Sequence, residues 1–517
     1  MTDVRIITEP LGGSALSLLL QGGTAPADWT RETPRTAEAW RERARERASG
    51  ASWSARWSAL EPALAATSAA ADRLERVRRE GGVVVTTGQQ PGLFGGPIYT
   101  WSKAMGALAL ADALERETGI ATAAIFWAAT DDADFAEASF TVLAGAGGAE
   151  VLRSTHTPPA GTPMALAALG DLARERSRVR DASGSAADPR ALDAMDRAYG
   201  DPRRSVGDAY VTLMRELLAP LGMPVLDASH PAVRTASDAT LRRALTCASA
   251  IEQALDGRTR AIRAAGLEPQ VVDVGGLSLV FAREAGVKRR LSVAESAAVA
   301  GDSAAWLTPN VLLRPIVEAA LLPTVGYLAG PGELAYFAQV TAVADAMSLP
   351  RPLALPRWSC TLIEPQVALL LDRFNVEPDA LARPDALEGT VARTAMSEPT
   401  AAALRSLRAT IQALPASLAP EAEPLGLGAA VQGSMQSLLH RLDRLDRRLV
   451  AGIKRRERDL LRDVATLRAA LYPLGKRQER ALNLVPALSR HGLALLGEMR
   501  AAAGSHARKL IAPSRAS

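Results

Sequence analysis

The chain has 517 residues, 48% of them hydrophobic and 22% charged, with a formal net charge of only +4. That length exceeds one compact core, so two or three structural units are expected, and the near-balanced charge gives no electrostatic footprint for nucleic acid. The two cysteines, Cys247 and Cys360, lie far apart and no Cys/His cluster accompanies them, which argues against a structural zinc site.

Only five of the 60 basic residues are lysines. A lysine here invites the question of why arginine did not serve, and Lys103 is one of the five. The first residues lack a charged segment followed by an apolar run, so no signal peptide is read. Residues 104–113 are too short to span a bilayer and are interrupted by Gly106 and Asp112. A cytoplasmic protein without membrane or nucleic-acid partners is expected.

Residues 1–80 carry apolar residues at helical spacing and read as an N-terminal helical segment packing on the core. Gly81 and Gly82 break that pattern, and the β-branched run from Val83 to Thr86 predicts a buried strand. A glycine-rich loop follows, then a helix over residues 97–117 with proline in its first turn. Residues 123–128 predict a second strand. Strand, loop, helix and strand make a βαβ unit, which calls for a parallel sheet. Residues 142–200, rich in Gly, Ala, Ser and Pro, read as an insertion with surface loops. Helices are predicted over 205–218, 235–265 and 333–347, and a short strand over 224–226. Residues 270–274 and 277–281 predict a hairpin around Gly275 and Gly276. Residues 311–327 are apolar strand or buried-helix material. The α/β core is thus placed over 81–364.

From about residue 365 helices dominate. Met435, Leu438, Leu442, Leu445, Leu449 and Ile453 recur at spacings of three and four. After a slip at Glu457 the seam resumes at Leu460, Val464, Leu467 and Leu471, with partner helices expected near 367–374 and 401–414. The region 365–471 reads as a coiled-coil arm suited to forming a homodimer, with an ordinary amphipathic helix packed on the core as the plain alternative, and 472–517 as a helical segment returning to the core.

Four segments can carry chemistry. The loop TGQQPGLFGGP over residues 87–97 leaves the first strand and opens a helix. Its glycines let backbone amides approach a ligand, and the helix start favours an anion. It is neither a Rossmann dinucleotide fingerprint nor a Walker loop. Gly88, Gln89, Gln90, Gly92, Phe94, Gly95 and Gly96 are therefore candidate contacts for an anionic ligand, with Lys103 two turns further on; a tight structural turn is the plain alternative. The second segment, FWAATDDADF, brings Trp127, Asp131, Asp132 and Asp134 to the end of the second strand. There they can meet a metal–nucleotide, a ribose or a substrate amine; an aspartate capping a solvated turn is the plain alternative. Third, Arg314 sits among apolar residues and needs an anionic partner. Gly332, Glu333 and Tyr336 follow a glycine turn, and Arg357 resembles Arg314 in its setting. Fourth, the basic stretch 286–290, including Lys288, can meet a triphosphate or be a solvated charge run. No histidine falls in these segments and no Ser/His/Asp triad is visible. Cys360 reads as core.

TGQQPGLFGGPIYTWSKA, FWAATDDADF, RPIVEAALLPTVGYLAGPGELAYFAQV, LPRWSCTLIE and YPLGKRQERALN resemble, in order, the signature segments of the bacillithiol cysteine ligases, the BshC family. The likeness runs from about residue 80 to about residue 495. It implies a Rossmann-like nucleotidyltransferase core, similar to class I aminoacyl-tRNA synthetases, with inserted connecting segments and an α-helical coiled-coil arm. It implies a ligase joining the carboxyl group of L-cysteine to the amine of glucosaminyl-malate through an activated carboxylate, with ATP and Mg²⁺. On chemical grounds Lys103, Asp132, Asp134 and Arg314 are then the catalytic candidates, and the amides of Gly95 and Gly96 stabilise phosphate charge. Gly88, Gln89, Gln90, Gly92, Phe94, Gly95, Gly96 and Lys288 would hold nucleotide. Trp127, Asp131, Gly332, Glu333, Tyr336 and Arg357 would hold substrate, and no residue is assigned as a dedicated metal ligand. One departure stands out: the family reads Glu-Asp-His-Asp where this chain has Asp131-Asp132-Ala133-Asp134. A ligase for another amino sugar or thiol precursor, and a non-catalytic nucleotide-binding dimeric scaffold, are the alternatives.

Overall fold

The computed structural model describes residues 2–49, 53–185, 188–272, 275–383 and 386–512. The chain divides into two compact units. One comprises residues 1–143, 151–363 and 479–517, and the other residues 144–150 and 364–478.

The first unit is built on a five-stranded parallel sheet. In chain order its strands lie among β1 (Arg5–Thr8), β2 (Val83–Gln89), β3 (Thr122–Ala128), β4 (Phe140–Gly145), β5 (Gly148–Arg153) and β6 (Val225–Asp227). The remainder are β7 (Leu277–Glu284), β8 (Val287–Ser292), β9 (Leu307–Pro309), β10 (Thr324–Ala329), β11 (Ala354–Pro356) and β12 (Cys360–Ile363). The sheet order is β11-β10-β2-β3-β6, with every pairing parallel. β2 and β3 are buried on both faces, as continuous apolar runs such as Val83-Val84-Val85 require. The chain moves outward from β2 to β3 and β6, then returns on the other side of β2 with β10. The order therefore switches between β2 and β10, where the loops at the carboxyl ends part and leave a crevice.

The helix Ile98–Thr118 runs between β2 and β3, buried along most of its length, and packs on the C-terminal helix Ala494–Ile511. The N-terminal region holds helices Ala15–Gln21, Ala37–Ala48, Trp53–Leu64 and Ser68–Glu80. It also holds β1, a strand that helical spacing does not foreshadow, paired antiparallel with β12. Residues 142–200 are more than surface loops. Helices Ala173–Ser183 and Arg190–Tyr199 form there, and the second buries Leu192, Met195, Ala198 and Tyr199. The helical stretch predicted over 235–265 is two helices, Pro231–Thr246 and Ala248–Ala264, joined at Cys247.

The expected hairpin is displaced by one element. β7 pairs with β8 across the two-residue turn Ala285-Gly286, and both turn residues have positive φ, 49° and 85°. Such a turn matches the twist of paired strands. Residues 270–272 form no strand: the backbone N–H and carbonyl of Val271 bond instead to the Gln339 side chain, at 3.0 and 2.8 Å. The rest of that predicted strand, residues 273–274, lies outside the described residues. β9 adds to β7 on the other edge, giving a three-stranded antiparallel sheet.

The second unit is helical. Its long helix Gly428–Arg456 breaks at Glu457, and Arg458–Leu471 continues. Helix Glu398–Ala422 packs along the first piece and Pro365–Phe374 on the second. Leu442 and Val450 are buried in this packing while Leu438 and Leu445 are exposed. Among the described residues no helix is long and apolar enough to cross a membrane.

Candidate active site

At the switch point lies a cavity of about 580 Å³. Its floor is the end of β2 (Gly88, Gln89 and Gln90) with Lys103 from the following helix. One wall is the loop after β3, with Asp131, Asp132 and Ala133. The opposite wall is Gly330, Pro331, Gly332, Glu333 and Tyr336, following β10. β7 and β8 supply Phe281, Lys288 and Arg290, and Arg314 and Arg357 complete the polar lining together with Tyr99, Asn310 and Arg480. Six basic side chains line it against three acidic ones, so it carries an excess of positive charge suited to an anionic ligand.

The back of the cleft is a buried charge network. The Lys103 ammonium, 1% exposed, donates to the Gly88 carbonyl at 2.6 Å and lies 2.5 Å from the Glu333 carboxylate. Glu333 also accepts from the Gly330 N–H at 2.6 Å and from the Tyr327 hydroxyl at 2.5 Å, with the Arg314 guanidinium 3.7 Å away. Arg314 donates in turn to the hydroxyls of Tyr327 and Tyr336, at 3.2 and 3.0 Å, and pairs with Glu318 at 3.5 Å. Burial alone would raise the Glu333 carboxyl, but Lys103 and Arg314 together hold it below its ordinary value. Burial pushes the Lys103 ammonium down against the pull of Glu333. Glu333 thus has its acceptor positions taken and serves to fix two cations rather than to receive a substrate amine.

Glu318 behaves differently. It is 1% exposed, and burial pushes its carboxyl up to about 7 against the pull of Arg314. Between its ordinary value of 4.5 and about 7, the unfolded chain releases this proton while the folded chain keeps it. Stability from this group is therefore present at low pH and falls as pH rises through that window. Glu318→Gln removes the effect. The stability of the variant relative to the parent is expected to rise by about 3 kcal/mol between pH 4.5 and 7.5 in denaturant titrations. A difference that stays flat with pH would contradict this assignment.

The acidic loop is held from inside. Asp132 accepts from the N–H groups of Ala133 and Asp134, at 2.6 and 3.3 Å, and burial followed by the Asp131 charge raises its carboxyl. Lys288 donates to the Asp131 carbonyl at 2.8 Å and lies over the Phe281 ring. Among the described residues, no group of three or more His, Cys, Asp or Glu side chains converges as metal ligands would.

Several sequence candidates lie elsewhere. Asp134 is exposed and caps the short helix Phe135–Ala138 by accepting from the Glu137 N–H. Trp127 is buried and faces a separate small cavity. Gly92, Phe94, Gly95 and Gly96 do not line the cleft. The Gly95 and Gly96 N–H groups are spent on the Gly92 and Leu93 carbonyls, at 3.1 and 3.2 Å, so they cannot stabilise a phosphate. Phe94, at φ 54°, packs edge-on against Tyr199, and a Cβ on Gly95 would lie 2.8 Å from the Trp101 ring. Asn483 donates to the Phe94 carbonyl at 3.0 Å, and the Ile98 N–H at the helix start donates to the Leu482 carbonyl at 2.9 Å. The C-terminal segment thereby takes the helix-start amide of Ile98, and local carbonyls take those of Gly95 and Gly96, so the amides an anion would need are already bonded.

That same segment supplies what motif reading left unassigned. Arg357 makes a bidentate pair with Glu479, at 2.7 and 2.8 Å, both side chains almost fully buried. Burial would raise the Glu479 carboxyl, yet the Arg357 guanidinium holds it low. The next residue, Arg480, is exposed and reaches the cleft. YPLGKRQERALN was the available signal, but its spacing to the cleft residues is set by tertiary structure alone.

A parallel sheet with a charged cleft at its switch point, joined in one chain to a helical coiled-coil region, defines a Rossmann-like enzyme with a coiled-coil domain. The model for the bacillithiol biosynthesis BshC N-terminal Rossmann-like domain matches residues 31–296 and 280–358, and that for the BshC C-terminal coiled-coil domain matches residues 360–510. The chain belongs to the BshC family. A protein of Solibacter usitatus is 30% identical over 440 residues, 82% of each chain, and one of Koribacter versatilis 30% over 465 residues, 86% of each. A third, of Salinibacter ruber, is 28% identical over 462 residues, 83% of this chain and 82% of its own. All three bear the name "Putative cysteine ligase BshC". Membership puts this chain among enzymes of the ligase class.

Proposed function

We propose that the chain is an ATP-dependent ligase that joins the L-cysteine carboxyl group to the amine of glucosaminyl-malate, forming bacillithiol. The observation that carries this reading is the cationic cleft at the carboxyl ends of β2, β3 and β10. Its volume falls in the range of about 300–1,000 Å³ that small-molecule sites occupy. The residues present suit a polyphosphate: Lys288, Arg290 and Arg480 line the cleft with positive charge. ATP with its Mg²⁺, held by Lys288, Arg290 and Arg480, would supply the phosphoryl or adenylyl group that activates the carboxyl group and departs as the amide forms.

The chain's own groups divide the remaining work. Lys103 and Arg314, fixed by Glu333, set a positive field at the cleft floor where negative charge develops. Asp132, its carboxyl raised and no imidazole beside it, accepts the proton from the attacking amine. Asp131 and Tyr336 orient the substrate, and Arg357 faces its carboxylates. The half-exposed leucine seam of the helical unit, at Leu438 and Leu445, fits a homodimer contact with a second copy.

Purified protein with ATP, L-cysteine and glucosaminyl-malate is expected to give bacillithiol with matching nucleotide turnover. Neither product nor turnover would overturn the reading. Product with a different amino sugar alone would move the acceptor, and tight nucleotide binding without turnover would make the chain a scaffold. Lys288→Ala is expected to raise the KM for ATP roughly tenfold, the loss of about 1.4 kcal/mol of charge-assisted contact. An unchanged KM would remove Lys288 from the nucleotide site.

A further inference from the structure

Behind the partition formed by Asp131, Lys288 and Pro309 lies a second cavity of about 40 Å³, and those three residues line both spaces. A water needs roughly 10–15 Å³ on this scale, so the chamber holds about three water-sized bodies. Trp306 stands in its wall between two guanidiniums, with Arg283 3.5 Å and Arg234 4.4 Å from the ring centroid. Neither guanidinium has a carboxylate partner or side-chain hydrogen bond among the described residues. Both are half-buried, and three other cations of this unit, by contrast, hold carboxylates. Arg357 holds Glu479, Arg314 holds Glu318, and Lys103 holds Glu333. Two like charges stacked about one indole repel, and an anion between them relieves that repulsion.

The same wall carries donors without acceptors. Trp127 is 3% exposed, and among the described residues neither its buried Nε1 nor the buried Thr308 hydroxyl has a hydrogen-bond partner. Both residues line this chamber. Buried polar groups are almost always satisfied, so orphans gathered in one small cavity need an explanation. Two planar forks, an indole N–H and a hydroxyl form a set of donors whose complement is a small oxyanion.

We propose that this chamber is an oxyanion subsite for a carboxylate- or phosphate-sized group. The group is supplied either as a pendant carboxylate of a substrate lying in the main cleft or as a free small anion. The first source rests on the ligase reading; the chamber itself does not.

The test is binding without turnover. The full-length protein is titrated with succinate, and separately with inorganic phosphate, at constant ionic strength, reading tryptophan fluorescence and heat. Saturable binding is expected at millimolar concentration. It should weaken at least tenfold in Arg234→Gln/Arg283→Gln and several-fold in Thr308→Val, which disturbs no existing hydrogen bond. These residues do not line the main cleft, so anions bound there leave the variants' response unchanged. No saturable binding of either anion, or binding that neither variant alters, overturns the proposal. A preference for glucosaminyl-malate over glucosamine that disappears in the double variant identifies the pendant carboxylate. Phosphate binding that glucosaminyl-malate does not displace identifies the free anion. Because binding is read without nucleotide, the subsite stands or falls separately from the ligase activity.

Discussion

Lys103→Met is expected to destabilise the protein by about 3 kcal/mol and to cut turnover on the order of a hundredfold. The side chain is nearly isosteric, so the loss is chiefly the ammonium. What remains is a Glu333 carboxylate at the back of the cleft, still held by Arg314, Tyr327 and the Gly330 N–H but without its 2.5 Å partner. Removing one member of a buried pair typically costs about 3–5 kcal/mol, and the surviving partners place this case at the lower end. The pH dependence has a definite sign. Glu333 titrates below its ordinary value of 4.5 in the folded protein, so its contribution is present above that pH and fades as pH falls. The deficit of the variant is therefore largest near neutrality and shrinks on acidification. Lys103→Met/Glu333→Gln should recover part of the stability but not the turnover, since the positive field is still missing. Denaturant midpoints at several pH values and steady-state kinetics measure both. Parental stability together with parental turnover in Lys103→Met would make the network ornamental.

The parts of this network differ in how readable they were. β2, β3 and the helix between them are legible because each is long, strongly apolar and bounded by glycine. Lys103 is legible because lysine is rare in this chain. Its partner Glu333 was visible as a helix-start residue, yet nothing local shows that the helix start faces Lys103 across the switch point. Short strands were harder. β1 is four residues and β9 and β11 three each, too few for a period to register. Val271 fits a strand pattern but is claimed by the Gln339 side chain.

The glycine loop shows the limit most clearly. Positive φ at Gly95 and Gly96 serves equally well for letting a ligand in or for letting two chain segments close up. The residue types cannot say which, because the deciding neighbours, Trp101, Tyr199 and Asn483, come from elsewhere in the fold. Nor does a sequence show that the amides are already bonded. Tyr99 and Arg480 received no role for the same reason: each enters the cleft by tertiary placement.

The C-terminal segment closes this site, and its anchor can be separated from its chemistry. Glu479→Ala is expected to cost about 3–5 kcal/mol, because it leaves the Arg357 guanidinium buried with two hydrogen bonds lost. Ser359 also loses its acceptor, at 2.8 Å, which pushes the effect upward. Arg357 sits over the Tyr99 ring and lines the cleft, so its release alters the KM for anionic substrates as well as stability. Arg480, one residue further, moves with it. Arg357→Leu/Glu479→Leu replaces the pair with apolar groups, and such replacements are often neutral or better for stability. The double variant should therefore regain most of the thermal midpoint while turnover stays low. Recovery of both would show that Arg357 only holds the segment down. Recovery of stability alone would show that the guanidinium acts on substrate, and that Glu479 exists to keep it aimed.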